Sequence, residues 1–394
     1  MKARLWLLAL GTFALGTDLF VIAGVLPSIA ANLRISESAA GWLLTAFAIT
    51  YAVGSPILAA STGRMPRKTV LLAALAVFTI ANAAAAAAPD YAVLLIARIL
   101  AALAAALYTP TASAVAALTA PPQERGRALA IVTAGMTVSI VIGVPLGAWI
   151  SAALSWRFTL ALVAGLGALA TAGLAVFIPP VSAPPSPSLR ERLLPLRRAS
   201  VLSALFVTVV AMAGGFTVYT YLAPYLTVVD RVGSSEVGFF LLWYGAFSVL
   251  GNLLGGHGAD RFGPRRVIRV GLLIVCASLA LLDLAAHSLP STIVAIAVWA
   301  TAGWSFQAPQ QQRLIALTQA SPTIALSLNG SAIYLGIAIG SAVGGFMLRG
   351  GRHVADLGLS GGALVAAALA FDLLMFRRAA VSERPALCKK TVCE

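Results

Sequence analysis

"VSAPPSPSLRERLLPLRRAS", Val181 to Ser200, is the longest polar stretch between the apolar runs of this 394-residue chain. Its prolines and charges read as a linker. On either side lie runs long enough to cross a bilayer, whose hydrocarbon core of about 30 Å takes about 20 helical residues. Six precede the linker, at 5–26, 40–60, 69–88, 91–118, 126–150 and 157–178. Six follow it, at 200–226, 235–256, 267–286, 290–318, 323–348 and 357–376. The expected fold is therefore an all-α membrane protein of twelve transmembrane helices. It divides into an N-terminal six-helix bundle (1–178), a cytoplasmic linker (179–199), a C-terminal six-helix bundle (200–378) and a cytoplasmic tail (379–394).

Composition agrees with that division. Hydrophobic residues make up 60% of the chain and charged ones only 10%, where a soluble domain carries about 25% charge. The net charge of +14 is a topology signal. With the N-terminus placed in the cytoplasm, the inner segments hold 21 of the 27 basic residues. The outer segments hold Arg34, Arg157, Arg231, Arg349 and Arg352, and Arg98 lies inside a run. The positive-inside rule then puts both termini in the cytoplasm, and nothing in this distribution calls for a nucleic-acid partner. Lys2 and Arg4 before an apolar stretch could be misread as a secretory signal, but eleven further runs follow and the first contains Asp18. Three cysteines make no disulfide framework. Cys276 sits in an apolar run as a packing residue, and Cys388 and Cys393 lie in the polar tail, without metal-ligand spacing to a histidine. No metal, cofactor, phosphate loop or catalytic triad is expected, and hence no enzyme.

The two halves repeat. Pro27 and Pro224, Gly54 and Gly251, Arg64 and Arg261, Gly143 and Gly340, and Gly147 and Gly344 each stand 197 residues apart (224 − 27 = 197). An even number of helices per half gives both repeats one orientation, the parallel repeat of a two-bundle transporter with its cavity between the halves. The loop after helix 8, "GNLLGGHGADRFGPRRVIRV" from Gly251, resembles the Gly-x-x-x-Asp-Arg-x-Gly-Arg-Arg loop of the major facilitator superfamily, here as Gly256, Asp260, Arg261, Gly263, Arg265 and Arg266. The loop after helix 2 is a degenerate copy that keeps Arg64, Arg67 and Lys68 but has Gly63 where the acid belongs. The resemblance implies that these loops latch the bundles on the cytoplasmic side, and the missing carboxylate puts the first latch in doubt. Topology alone would also account for basic loops.

Helix 5 carries Gly135, Ser139, Gly143 and Gly147 at intervals of four, a small-residue face for close packing. "GVPLG", Gly143 through Pro145 to Gly147, also resembles the Gly-Pro motif of helix 5 in the proton-driven exporters of that superfamily. Helix 4 buries Arg98, as the corresponding helix of those exporters does. "GTDLFVIAGVLP", Gly16 to Pro27, resembles helix 1 of the arabinose-efflux and chloramphenicol-efflux branch. A charge inside a span is costly, about 2.5–3.5 kcal/mol on insertion scales, and usually functional. Asp18 and Arg98 lie at similar depth. Burial favours the neutral acid and a nearby guanidinium favours the carboxylate, so Asp18 is the candidate proton carrier and Arg98 its partner. The alternatives are a fixed ion pair and an Arg98 that snorkels to the outer interface. Asp283 and Asp372, near span ends, are read as reaching water.

Phe20, Tyr219, Trp243, Tyr244, Trp304 and Gln307 are candidates for an aromatic substrate cavity, although tryptophan and tyrosine at span ends also mark the interface belt. The resemblance implies a monomeric, multi-pass protein of the bacterial inner membrane. Its partners would be lipid, protons and a small-molecule substrate, and its energy source the proton gradient. The expected function is proton-coupled efflux of small organic compounds such as chloramphenicol-like drugs, a route to antibiotic resistance. Sugar or purine efflux is an alternative, as is an uncoupled facilitator. A non-transporting sensor or assembly factor on the same fold is the alternative of another class.

Overall fold

The structure, a computed structural model, describes residues 2–181, 188–282, 288–318 and 322–388. Twelve long helices carry the chain: α1 (Lys2–Leu33), α2 (Glu37–Ser61), α3 (Arg67–Ala86), α4 (Tyr91–Thr119), α5 (Arg125–Ala153), α6 (Trp156–Phe177), α7 (Ala199–Val228), α8 (Val237–Phe262), α9 (Pro264–Ala280), α10 (Leu289–Thr318), α11 (Pro322–Arg349) and α12 (Asp356–Cys388). Among the described residues there is no strand. Among the described residues, eleven of the helices are long and apolar enough to cross a membrane, and α9 spans 17 residues. The helices start where polar caps satisfy the first free N–H groups. Ser36 accepts from the Ala39 N–H at 3.1 Å, and Asp90 from the Val93 N–H at 2.9 Å.

The offset of 197 runs through the architecture. α1, α3 and α5 begin at 2, 67 and 125, and α7, α9 and α11 begin at 199, 264 and 322. Arg34 and Arg231, also 197 apart, both take φ 54°, an uncommon left-handed conformation for residues with a Cβ, at the turns that leave α1 and α7. The glycine rows do equivalent work in each half. A Cβ on Gly135, Gly143 or Gly147 of α5 would strike Thr12, Thr17 or Val21 of α1. A Cβ on Gly336, Gly340 or Gly344 of α11 would strike Met212, Ala213 or Thr217 of α7. In lipid, helices associate through close packing rather than through expulsion of water, so small residues set these approaches.

Regularity breaks at points where apolarity gives no warning. α5 contains a π turn at Ser139–Gly143, where the Val144 N–H bonds the Ser139 carbonyl. At 3.6 residues per turn, each step of four overshoots one turn by about 40°. The wider turn takes part of that back and keeps Gly135, Ser139, Gly143 and Gly147 facing α1. α7 breaks at Thr220–Tyr221 and α10 at Phe306, each continuing as a second segment. α1 runs seven residues past its expected end, through Pro27. α12 continues to Cys388, so the tail expected from 379 begins as helix. The expected linker holds a helical turn, Leu189–Leu193, closed by a reciprocal Ser188–Glu191 capping box. Asp283, His287, Cys393 and the side chain of Cys388 lie outside the described residues.

The halves meet at one face. Ser38 donates to the Gly345 carbonyl at 2.6 Å, and Ser341 to the Gly41 carbonyl at 3.0 Å. Trp42 meets Phe346 edge-on, Trp149 meets Phe239, and Tyr51 stacks on Tyr334 with ring centroids 3.5 Å apart. A Cβ on Gly245 of α8 would come within 2.6 Å of the Ile140 carbonyl, in the π turn of α5. Among the described residues, these cross-half contacts lie at mid-depth or nearer the face opposite the chain's N-terminus and linker. The seam is closed there.

Candidate proton and substrate sites

Asp18 sits at mid-length in α1, sixteen residues or about 24 Å from its start. Arg98 is seven residues into α4, about 10 Å from the opposite end. The two helices run antiparallel, and the side chains meet. Both are fully buried. Arg98 Nη1 donates to Asp18 Oδ1, and Nη2 donates to the main-chain carbonyl of Asp18 at 3.1 Å. Arg98 therefore does not snorkel. The face of Phe47, from α2, lies under the guanidinium, 4.5 Å from the arginine carbon to the ring centroid. Asn82, from α3, stands beside the carboxylate and donates to the Phe78 carbonyl at 3.1 Å.

The pair is held but incompletely satisfied. Asp18 Oδ2, Arg98 Nε and Asn82 Oδ1 are buried without a hydrogen-bond partner. A carboxylate with one oxygen engaged and one open can accept a proton without first breaking its bond to Arg98. Across the seam, Tyr334 of α11 lies in the neighbourhood of Asp18 and flat against Tyr51. The N-terminal carboxylate thus has a neighbour in the other half. Phe47, Asn82, Tyr51 and Tyr334 escaped the sequence reading. Asn82 alone left a signal there, as a lone amide within "FTIANAAAAAA".

Two residues beyond Asp18, about 200° around the helix, Phe20 faces the other half. Its ring packs against Phe216, Tyr219 and Trp304 at centroid distances of 6.0–6.3 Å. Tyr219 continues to Tyr244, which receives a hydrogen bond from the Trp304 indole at 3.2 Å. Tyr244, Trp304 and Gln307 line a small cavity of about 40 Å³. That volume holds little more than a water, so an organic compound has to part these rings. Trp243 does not join them. It packs at a tilt against Phe247, donates to the Ile293 carbonyl at 3.2 Å and lines a groove on the flank of α8, because it is one position, or about 100°, off the Tyr244 face.

Several of the loop residues find partners in their own halves. Arg67 donates to the Gly63 carbonyl at 3.0 Å, and Lys68 to the Ala175 carbonyl at 2.8 Å; Arg64 is exposed. Asp260 accepts from Gln312 at 3.2 Å, and Arg261 lies over the ring of Phe262. Gly263 takes φ 82°, open only to glycine at low cost, and turns the chain directly into α9 with Arg265 and Arg266 in its first turn. Asp372 is not in water, contrary to the reading from its position in the run. It is 2% exposed and holds Arg269 Nε at 2.8 Å and Arg313 Nη1 at 2.7 Å, joining α9, α10 and α12. Among the described residues no cluster of histidine, cysteine or acid is arranged to hold a metal.

A family model described as the Major Facilitator Superfamily matches residues 8–235 and again 204–390. The chain is 33% identical to the inner membrane transport protein YdhP of Escherichia coli O157:H7, over 94% of this chain and 95% of that one. It is 32% identical to a chloramphenicol resistance protein of Streptomyces lividans, over 94% and 95%. Among solved structures it resembles a bacterial homologue of the human lysosomal transporter Spinster in an inward-facing, occupied conformation. There the TM-score is 0.78 at 20% identity, over 95% of this chain and 96% of that one.

Proposed function

The chain belongs to the major facilitator superfamily, and from that premise we propose that it is a proton-coupled exporter of small organic compounds, working by alternating access between its halves. The observation that carries this reading is the fully buried Asp18–Arg98 pair. A scaffold has no use for two charges whose desolvation is so costly. A carrier does, because a proton arriving at the open Oδ2 neutralises Asp18 and weakens its hold on Arg98. Loss of the proton restores the pair. The Phe20 cluster sits on the other side of the same helix, so substrate pressing those rings apart shifts the backbone that positions Asp18. Flat, amphipathic compounds suit such a wall, and the Streptomyces relative argues for putting chloramphenicol first in a substrate panel.

The basic face is the cytoplasmic one on this reading. A cytoplasm-only reporter fused near Ser188 should therefore give signal, and signal from a reporter active only outside would reverse the orientation. The functional test is substrate-induced proton movement in proteoliposomes. The parent should exchange protons for substrate, and Asp18→Asn, equal in size but unable to titrate, should bind substrate without moving protons. If the variant exchanges at the parent stoichiometry, the carrier lies elsewhere.

A further inference from the structure

The C-terminal half carries a second feature, on the flank of α8 and at the α8–α9 loop. α8 and α9 each pack along α10 and only sparingly on each other. Between them lies an open groove of about 840 Å³, walled by side chains such as Phe247, Leu254, Ile274 and Val298. It runs from Trp243 to Phe262 along α8, nineteen residues or about 28 Å, close to the thickness of a hydrocarbon core. Its walls are aliphatic and exposed: Leu254 is 54% accessible, Val270 56% and Val294 61%.

At the basic face the groove opens into a second space of about 680 Å³, and the two share Phe262 and Arg266. This space is lined by Arg265, Arg266, Arg269 and Arg313. Among the described residues, the nearby carboxylates include Asp372, held between Arg269 and Arg313, and Asp260, bonded to Gln312. With Arg261 over Phe262, guanidiniums predominate in the described lining of this space. An aliphatic channel of membrane depth that ends in a cationic cup at the interface matches one chemistry: an acyl chain joined to an anionic phosphodiester. Basic pockets between transmembrane helices on this side of a membrane bind anionic headgroups, and arginine suits phosphate because its planar fork bonds two oxygens at once.

We propose that the α8–α9–α10 groove is a binding site for one anionic phospholipid, its chain along Val270, Ile274 and Val294 and its phosphate at Arg266. The Gly263 turn is what builds the site. By joining α8 to α9 without a loop, it sets Arg265 and Arg266 at the mouth of the groove.

The test is native mass spectrometry of the full chain from mixed micelles, titrated with dioleoyl phosphatidylglycerol or dioleoyl phosphatidylcholine, which have the same chains and differ in headgroup charge. One phosphatidylglycerol should be retained at a concentration at least tenfold below that needed for phosphatidylcholine. Arg266→Gln, a change at an exposed position, should erase that preference while the melting temperature without lipid stays at the parent value. Val294→Trp, which fills the groove, should reduce retention of both lipids. A phosphatidylglycerol carrying a diazirine in its chain should label peptides of α9 and α10. Equal retention of the two lipids, a preference that survives Arg266→Gln, or labelling spread over the other helices would each overturn the site. Displacement of the lipid by an equal concentration of inorganic phosphate would show that the groove contributes nothing, and would overturn it too.

Discussion

Replacing Arg98 by methionine keeps most of the side chain's length and removes its charge, which makes it a direct probe of the pair. Both partners are fully buried, and Arg98 bonds both the carboxylate and the main-chain carbonyl of Asp18. Removing one partner of a buried pair costs about 3–5 kcal/mol, chiefly because the other charge is stranded. Arg98→Met strands Asp18 with Asn82 as its polar neighbour and belongs at the upper end of that range. Asp18→Asn keeps an oxygen at the Oδ1 position, the main-chain bond and the Phe47 face, so its loss is about 3 kcal/mol. In the double variant no charge is stranded, and exchanging a buried pair for neutral groups is often close to neutral. The double variant should therefore lose far less than the sum of the two single losses, a coupling of at least about 3 kcal/mol, the top of the range usual for residues in contact. The assay is equilibrium unfolding in mixed micelles, read by tryptophan fluorescence, for the parent and all three variants. The loss for Arg98→Met should also shrink in acid, where its stranded carboxylate takes up a proton. Additivity within about 0.5 kcal/mol, or a loss that does not change with pH, would refute the argument.

Three further outcomes are expected. Gly143→Leu should impair transport and cost about 1–3 kcal/mol of stability, since even its Cβ lands on Thr17 and overpacking of a tight contact costs that much; normal transport rates at normal expression would remove the helix-contact argument. Replacing both Ser38 and Ser341 by alanine deletes two seam hydrogen bonds worth about 1 kcal/mol each. In a background without native cysteines, spin labels at Ala31→Cys and Arg349→Cys should then show a new, longer distance; an unchanged distribution would mean that these bonds do not hold the seam. Glu191 is held below the ordinary glutamate range by hydrogen bonds from the backbone N–H and hydroxyl of Ser188. Its capping contribution is therefore present above that range and is lost as pH falls through the lower midpoint. Carbon-13 titration should show that low midpoint, and Ser188→Ala should raise it part of the way; an ordinary midpoint in the parent would contradict the capping box.

The sequence made some of this legible because the physics behind it is local. Apolar runs of about 20 residues name the membrane helices, and the 197-residue offset persists down to the paired backbone torsions of Arg34 and Arg231. The costs of Asp18 and Arg98 in lipid marked them as residues of interest, and depth alone suggested their meeting. Long-range partnership was not legible. Asp372 reads as a residue near a span end, yet it is closed over by arginines 103 and 59 positions away in sequence. Nor does apolarity encode which turn is widened or broken, so the π turn of α5 and the breaks at Tyr221 and Phe306 left no trace. Trp243 and Tyr244 are adjacent in sequence and equally aromatic, and only the rotation of α8 decides that one lines the flank groove and the other the ring cluster.

That α1 carries Asp18 on one side and Phe20 on the other has a consequence for how such a protein can change. Linkage is reciprocal, so whatever substrate does to proton affinity the proton does to substrate affinity by the same factor. On the proposed reading, both influences pass through two residues of one helical turn. A substitution selected for a new compound at the Phe20 side would shift the acid at its back, and a lineage that broadened its diet would acquire compensating changes around Phe47, Asn82 and Arg98, none of which faces the Phe20 rings. Specificity and energetics would drift together, and grafting one ring cluster onto another relative would fail unless the far side of the helix travelled with it.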